Sequence, residues 1–161
     1  MSPGSRFRPL HVERSGEIIL PLPLGHVFPL FSPEGERAWA PGWDPVYLHP
    51  DHPSNSPGTT FRTTHNSEET LWLVLQYDPG NATATYGRFS PGSRLGTVQV
   101  HCLPEAPGRT RVKVSYSLTA IGPAGNETLA ALTPAAYEAM LRDWGEAILR
   151  SQQVPHIPRS S

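Results

Sequence analysis

TPAAYEAMLRDWGEAILR, residues 133–150, carries the strongest helical signal in the chain. Tyr137, Met140, Leu141, Trp144 and Ile148 recur at i, i+3, i+4, i+7 and i+11, which puts them on one apolar stripe. Glu138, Arg142, Asp143, Glu146 and Arg150 take the opposite, wet side. Thr133 is a capping residue and Pro134 suits the first helical position. A preliminary turn is expected over residues 126–132. An amphipathic rod of this kind must lie on an apolar surface, and the rest of the chain has to build it.

That surface is read upstream. From about residue 46 to 121 the chain alternates between strand-like runs and turn clusters, as an antiparallel meander does. PVYLHP is a short strand, followed by the loop DHPSNSPG. GTTFRTTH and ETLWLVLQYD are joined by a hairpin-sized connection at Asn66-Ser67-Glu68. Asp78-Pro79-Gly80-Asn81, Ser90-Pro91-Gly92-Ser93 and Pro104 to Gly108 punctuate the strands that follow. The last strand alternates cleanly: Val112, Val114, Tyr116 and Leu118 face a core, while Arg111, Lys113, Ser115, Ser117 and Thr119 face water. Val98, Val100 and Cys102 do the same on the strand before it, with His101 turned to solvent. LWLVLQY is apolar on both faces, so it is expected to be covered on both or to line a cavity.

Ahead of the meander, residues 9–20 read as a strand with Ser15-Gly16 as its irregularity. LPLGHVFPLFS, residues 22–32, carries apolar residues at helical offsets, and Pro29 keeps that helix brief. Ser32-Pro33-Glu34-Gly35-Glu36 then supplies a cap, a helix-starting proline and first-turn carboxylates. The second short helix should stop by Ala40, before Pro41-Gly42.

Composition bounds what such a chain can be. Its 161 residues suit a single domain over 1–161, with a core at about 9–150 and a loose tail at 152–161. Hydrophobic content of 37% and a mean hydropathy of −0.36 are those of a globular protein, and no run approaches the roughly 20 apolar residues of a membrane span. Nineteen prolines and fourteen glycines favour turns and short elements. Thirteen basic and fourteen acidic residues leave a net charge of −1 with no basic stripe, which argues against nucleic acid as a partner. The one cysteine, Cys102, allows no internal disulfide and reads as a small buried hydrophobe in a reducing compartment. The N-terminus has no secretory pattern, so the cytoplasm is the expected location.

The order strand, two short helices, antiparallel strands, long terminal helix resembles the helix-grip fold of the START-like, or SRPBCC, superfamily. VFPLFSPEGERAWAPGWDP, SPGSRLGTVQV, RTRVKVSYSLTAIGPAGNE and AAYEAMLRDWGEAI carry the likeness, which runs over about residues 9–150. It implies an α+β fold in which a curved antiparallel sheet of about six or seven strands wraps a long C-terminal helix. The superfamily includes lipid-transfer domains, birch-pollen-allergen-like proteins, polyketide cyclases and Hsp90-coactivator-like domains, so fold alone does not name an activity.

A bent sheet around one rod cannot close on it everywhere, and the gap becomes an elongated apolar cavity. From the short helices and the strands, Phe28, Trp39, Trp43, Phe61, His65 and Trp72 are expected to line it. Val98, Val100, Val114 and Tyr116 would contribute from the later strands, and Tyr137, Met140, Leu141 and Trp144 from the helix. Trp39 and Trp43 would either plug one end or present broad aromatic surface with one N–H each.

Chemical signatures are sparse. His65, Tyr86, Tyr116 and Arg62 are candidates for acid–base work, since a histidine needs only a small shift to act near neutral pH. His26 sits in a short helix that could border the cavity. His49 and His52, with Asp51, have compact spacing but no third ligand partner, so no metal is expected. Glu34 and Glu36 are explained as helix-start carboxylates. There is no nucleophile elbow, no phosphate-cradling glycine loop and no Cys/His pair. Asn126-Glu127-Thr128 matches a glycosylation acceptor only by chance in a cytoplasmic protein. No cofactor is expected. The leading expectation is a binder or carrier of a small hydrophobic or aromatic molecule. A cyclase- or dehydratase-like enzyme with a His/Tyr acid–base is the alternative, and an interaction module like the Hsp90-coactivator branch a further one. A homodimer is left open, and insertion into a membrane is not expected.

Overall fold

The computed structural model describes residues 7–153. Seven strands form one antiparallel sheet: β1 (His11–Leu20), β2 (Val46–His49), β3 (Thr60–His65), β4 (Glu68–Asp78), β5 (Thr83–Ser90), β6 (Arg94–Ala106) and β7 (Arg109–Ala120). Their spatial order is β1-β7-β6-β5-β4-β3-β2. Strands β2 to β7 are a meander, because each turn-forming cluster returns the chain beside the strand it has just left. The β3–β4 turn is tight, with Asn66 and Ser67 both at positive φ (50° and 71°), the geometry that matches the twist of a two-residue hairpin. Only β1 travels, crossing to pair with β7 at the far edge.

Between β1 and β2 the chain makes three short helical turns: α1 (Leu24–Val27) and two 3₁₀ turns, Phe28–Phe31 and Gly35–Ala38. The single helix expected over 22–32 is thus split. Pro29 lies at the start of the second turn, where its missing N–H leaves no helical bond unmade. After β7, α2 (Pro123–Ala131) and α3 (Pro134–Gln153) complete the chain.

Helix α3 lies across the concave face of the sheet. Its stripe divides in two. Tyr137, Leu141 and Ile148 are buried in the main core with Ile18, Val112 and Val114, and the Tyr137 hydroxyl donates to the Val114 carbonyl at 2.7 Å. Met140, Trp144 and Ala147 pack against that core less completely. Burying three or four such side chains is worth roughly 1.5–3 kcal/mol each, which fixes the rod on the sheet.

Several expectations change. Ser15-Gly16 is no bulge: β1 pairs without interruption from His11 opposite Thr119 to Leu20 opposite Thr110. Gly16 instead clears room for the helix, since a Cβ there would lie 2.6 Å from Leu141 Cδ1. The turn expected over 126–132 belongs to α2, a nine-residue helix started by Pro123, whose Leu129 joins Leu118 and Ala120 in a satellite core. Asn126 ties that helix to the chain ahead of β1, accepting from the Leu10 N–H at 2.8 Å and donating to the Arg8 carbonyl at 2.9 Å. Gln152 and Gln153 belong to α3, while the rest of the expected tail lies outside the described residues.

LWLVLQY is covered on one face only. Trp72, Val74 and Tyr77 turn inward, and a register shift between Val74 and Gln76 bends the strand. Leu73 and Leu75 face outward and are 41% and 46% exposed, because among the described residues no second layer lies on the convex side. Val46 and Leu48 on the edge strand β2 are exposed apolar residues as well.

Candidate functional site

Between α3, the short helical turns and strands β3 to β7 lies a pocket of about 550 Å³. That volume falls within the range of small-molecule sites, roughly 300–1,000 Å³. All four tryptophans of the chain line it: Trp39, Trp43, Trp72 and Trp144. They interlock. Trp39 meets Phe31 at 5.5 Å between centroids and Trp144 at 5.6 Å, and Trp43 meets Trp72 edge to face at 5.4 Å. Three of the four indole N–H groups are spent on the protein. Trp39 donates to the Leu30 carbonyl (2.7 Å), Trp43 to the Pro33 carbonyl (2.7 Å) and Trp72 to the Thr63 hydroxyl (3.0 Å). Trp39 and Trp43 therefore both brace the short helical segment and wall the pocket with their faces. The N–H donors expected of them are turned away from it.

The turn that presents Glu36 is built on Gly35. A Cβ at Gly35 would fall 1.9 Å from the Pro29 carbonyl oxygen, so only glycine lets the second 3₁₀ turn stack on the first. The Gly35 N–H is capped by Ser32 Oγ at 2.9 Å. The neighbouring charges then separate. Arg37 turns outward to pair with Glu34 (3.0 Å) and Asp44 (2.7 Å), and the Tyr47 hydroxyl donates to Glu34 at 2.7 Å. Glu36 turns into the pocket, where among the described residues its carboxyl has neither a hydrogen bond nor an ion pair. Burial raises its pKa from 4.5 to about 8, so at neutral pH it holds its proton.

Two tyrosines share that lining. The Tyr86 hydroxyl donates to the Phe31 carbonyl at 2.8 Å and is structurally occupied. The Tyr116 hydroxyl has no partner among the described residues, and burial lifts it to about 12. At the far side, Arg88 on β5 lies over the Trp72 ring at 5.1 Å, a cation–π contact that follows from the pairing of these two residues across β4 and β5. Burial depresses the Arg88 guanidinium. Arg94 beside it is neutralised by a bidentate pair with Glu68, at 3.0 and 3.1 Å, which holds the Glu68 carboxyl below its usual range.

Of the residues expected at the cavity, Trp39, Trp43, His65, Trp72, Val98, Val100, Tyr116 and Trp144 line this pocket, together with Tyr86. Phe28 does not: it stacks on Tyr77 at 5.0 Å in the core. Phe61 lies behind the wall, stacked on Trp72 at 5.9 Å and edge-on to Trp43. Val114, Tyr137 and Leu141 are consumed in the contact between helix and sheet, and Met140 packs against that core. Arg62 is on the outward face of β3, 3.8 Å from Glu69. It cannot act in the pocket, because neighbouring residues of a strand alternate sides and Phe61 and Thr63 point in. His65 lies at the exposed mouth, and His26 stands outside the lining, bonded to Gln152. His52 and Asp51 lie 3.6 Å apart on the surface. Cys102 is buried, its thiol pushed up to about 12.

Glu36, Arg88, Arg94 and Glu68 were not singled out for the cavity by sequence. For Arg88 a signal existed: Ala84, Tyr86, Arg88 and Ser90 share one face of β5, the face that carries Tyr86 inward. For Glu36 there was none, since a first-turn carboxylate normally faces solvent.

No family model and no curated protein matches the chain. Solved structures do. Norcoclaurine synthase from Thalictrum flavum, in complex with dopamine and hydroxybenzaldehyde, superposes with a TM-score of 0.61 at 13% identity, covering 88% of each chain. A Thermobifida fusca protein solved by NMR gives a TM-score of 0.66 at 13% identity over 92% of this chain and 99% of its own. Ara h 8.0201 gives 0.61 at 15% identity over 87% and 99%. The chain shares with them a helix-grip fold, a seven-stranded antiparallel sheet with a long C-terminal helix. Identities this low carry the fold and nothing finer.

Proposed function

We propose that the protein binds a small hydrophobic or aromatic molecule between the sheet and α3. The observation that carries this is the four-tryptophan wall around about 550 Å³ of open space. A chain that needed these side chains only for stability would gain most by closing them on one another. Here they touch in two pairs yet stand around open space, with Trp39 and Trp43 braced on backbone carbonyls and Trp144 and Tyr116 only partly covered. Aromatic faces held rigid in this way bind flat apolar groups at little entropic cost. Native mass spectrometry of protein purified from its own host tests the reading: a co-purifying small molecule, released on unfolding, is expected. A bare chain that also fails to quench tryptophan fluorescence with any aromatic probe would overturn it.

A second reading, proton transfer inside the same pocket, is favoured by one feature. Among the described residues the Glu36 carboxyl has no partner, and with its pKa raised to about 8 by burial such a group can both give and take a proton at working pH. With Tyr116 it would replace the exposed His65 as the acid–base of a cyclase- or dehydratase-like reaction. An interaction module has less support, because the interior is open, although Val46, Leu48, Leu73 and Leu75 are exposed apolar residues. A cytoplasmic location is proposed on the reduced, buried Cys102. No helix among the described residues is long and apolar enough to cross a membrane.

A further inference from the structure

The end of the pocket formed by β3 to β6 holds more positive charge than it neutralises. Arg94 and Glu68 satisfy one another through two parallel hydrogen bonds. Arg88 has no carboxylate at ion-pair distance among the described residues. Its Nη2 donates to Ser90 Oγ at 3.1 Å and more weakly to Thr70 Oγ1 at 3.4 Å. Those hydroxyls also bond to each other at 2.7 Å, and being neutral they orient the guanidinium without cancelling its charge. The Arg88 Nε–H is buried with no acceptor, and Nη1 has no protein partner among the described residues.

The other charges on the lining do not make up the difference. Asp143 and Arg150, both exposed on α3, add one charge of each sign, and Glu36 is protonated at neutral pH. The lining thus carries three guanidiniums, Arg88, Arg94 and Arg150, against two carboxylates besides Glu36, those of Glu68 and Asp143. A cation withdrawn from water is costly unless an anion meets it. A guanidinium locked over an aromatic ring offers its remaining donors in a planar fork, the shape that receives an oxyanion.

Resting on the reading that the pocket binds a small molecule, we infer that its ligand is an organic anion: a flat apolar body seated among the tryptophans, with a carboxylate-, sulfonate- or phosphate-type group received by Arg88. The Trp72 ring, stacked under the guanidinium, makes the apolar wall and the charged anchor one continuous surface. This narrows the ligand class from any hydrophobe to amphiphiles carrying one negative group.

Two fluorescent probes that differ by one sulfonate test it: 8-anilinonaphthalene-1-sulfonate and neutral N-phenyl-1-naphthylamine, each titrated into the full chain at pH 7. The sulfonated probe is expected to bind about tenfold more tightly, the equivalent of one charge-assisted hydrogen bond. Arg88→Gln should erase that preference while leaving the neutral probe within about twofold, and Arg88→Lys should retain only part of it. Unchanged affinity of the neutral probe shows that Arg88→Gln is folded; if it is not folded, the partial loss in Arg88→Lys carries the test. A preference that is absent in the native chain, or that survives both substitutions, would overturn the inference and leave the pocket reading intact. Failure of both probes to bind, or binding indifferent to Trp144→Ala, would remove the pocket reading itself.

Discussion

The indole of Trp39 meets that of Trp144 at 5.6 Å between ring centroids, joining the helical turns after β1 to the terminal helix. The two rings come from segments about a hundred residues apart in sequence. Their contact seals one side of the pocket and leaves the faces that look inward uncovered.

Trp144→Ala should therefore cost less than removal of a core tryptophan. Full burial would cost about 3–5 kcal/mol, and a partly exposed ring lining a cavity about 1–3 kcal/mol. Urea titration decides between them. Leu141→Ala, about one turn away on the buried half of the stripe, should cost about 2–5 kcal/mol.

Glu36 makes stability depend on pH in a definite direction. Its folded pKa, about 8, lies above the unfolded 4.5, so between those values the folded chain holds a proton that the unfolded chain has released. Stability attributable to this group is greatest below pH 4.5, declines as pH rises to about 8 and is then level. The slope is at most about 1.4 kcal/mol per pH unit. Glu36→Gln should flatten it, leaving the variant more stable than the native chain at pH 9 and nearly equal to it at pH 5. Urea midpoints at the two pH values check this, and parallel curves for the two proteins would contradict it.

Gly35 and Gly25 form a matched pair. Gly35→Ala drives a methyl into the Pro29 carbonyl, 1.9 Å away, and should cost about 1–3 kcal/mol while loosening the turn that carries Glu36. A methyl at Gly25 would meet nothing within 4 Å, so Gly25→Ala should be neutral or stabilising by up to about 1 kcal/mol. Thermal melts of both variants give the comparison.

Tyr137→Phe should lose about 1 kcal/mol with its bond to the Val114 carbonyl, without changing probe affinity, because this hydroxyl is spent inside the core. Tyr116→Phe should do the reverse: its hydroxyl has no partner to lose among the described residues, and its ring lines the pocket. A stability loss in Tyr116→Phe larger than in Tyr137→Phe would show that these roles are exchanged.

Local periodicity was enough to place α3, the meander and the inward faces of β6 and β7, because a period of 3.6 or 2 sorts side chains to a face wherever one face is dry. The four tryptophans were expected at the cavity from the resemblance to the helix-grip fold, not from periodicity, and they line the pocket. Periodicity failed where a position's neighbours come from elsewhere in the chain. Gly16 resembles a bulge until Leu141 is brought over it, and LWLVLQY resembles a two-sided core strand until the convex face proves bare. Phe61 has the right face and the wrong depth, being one layer behind Trp43 and Trp72.

Glu36 and Arg88 mark that boundary most clearly. Each is an ordinary charged residue in its own segment, one at a helical turn and the other on a strand. The packing of the 3₁₀ turns through Gly35 carries the carboxyl out of water, and the pairing of β4 with β5 lays the guanidinium over Trp72. The linear chain specified a rod, a bent sheet and aromatic residues to stand between them. Desolvation and the absence of a counter-charge are properties of the space around a group, and that space exists only once distant segments have closed about it.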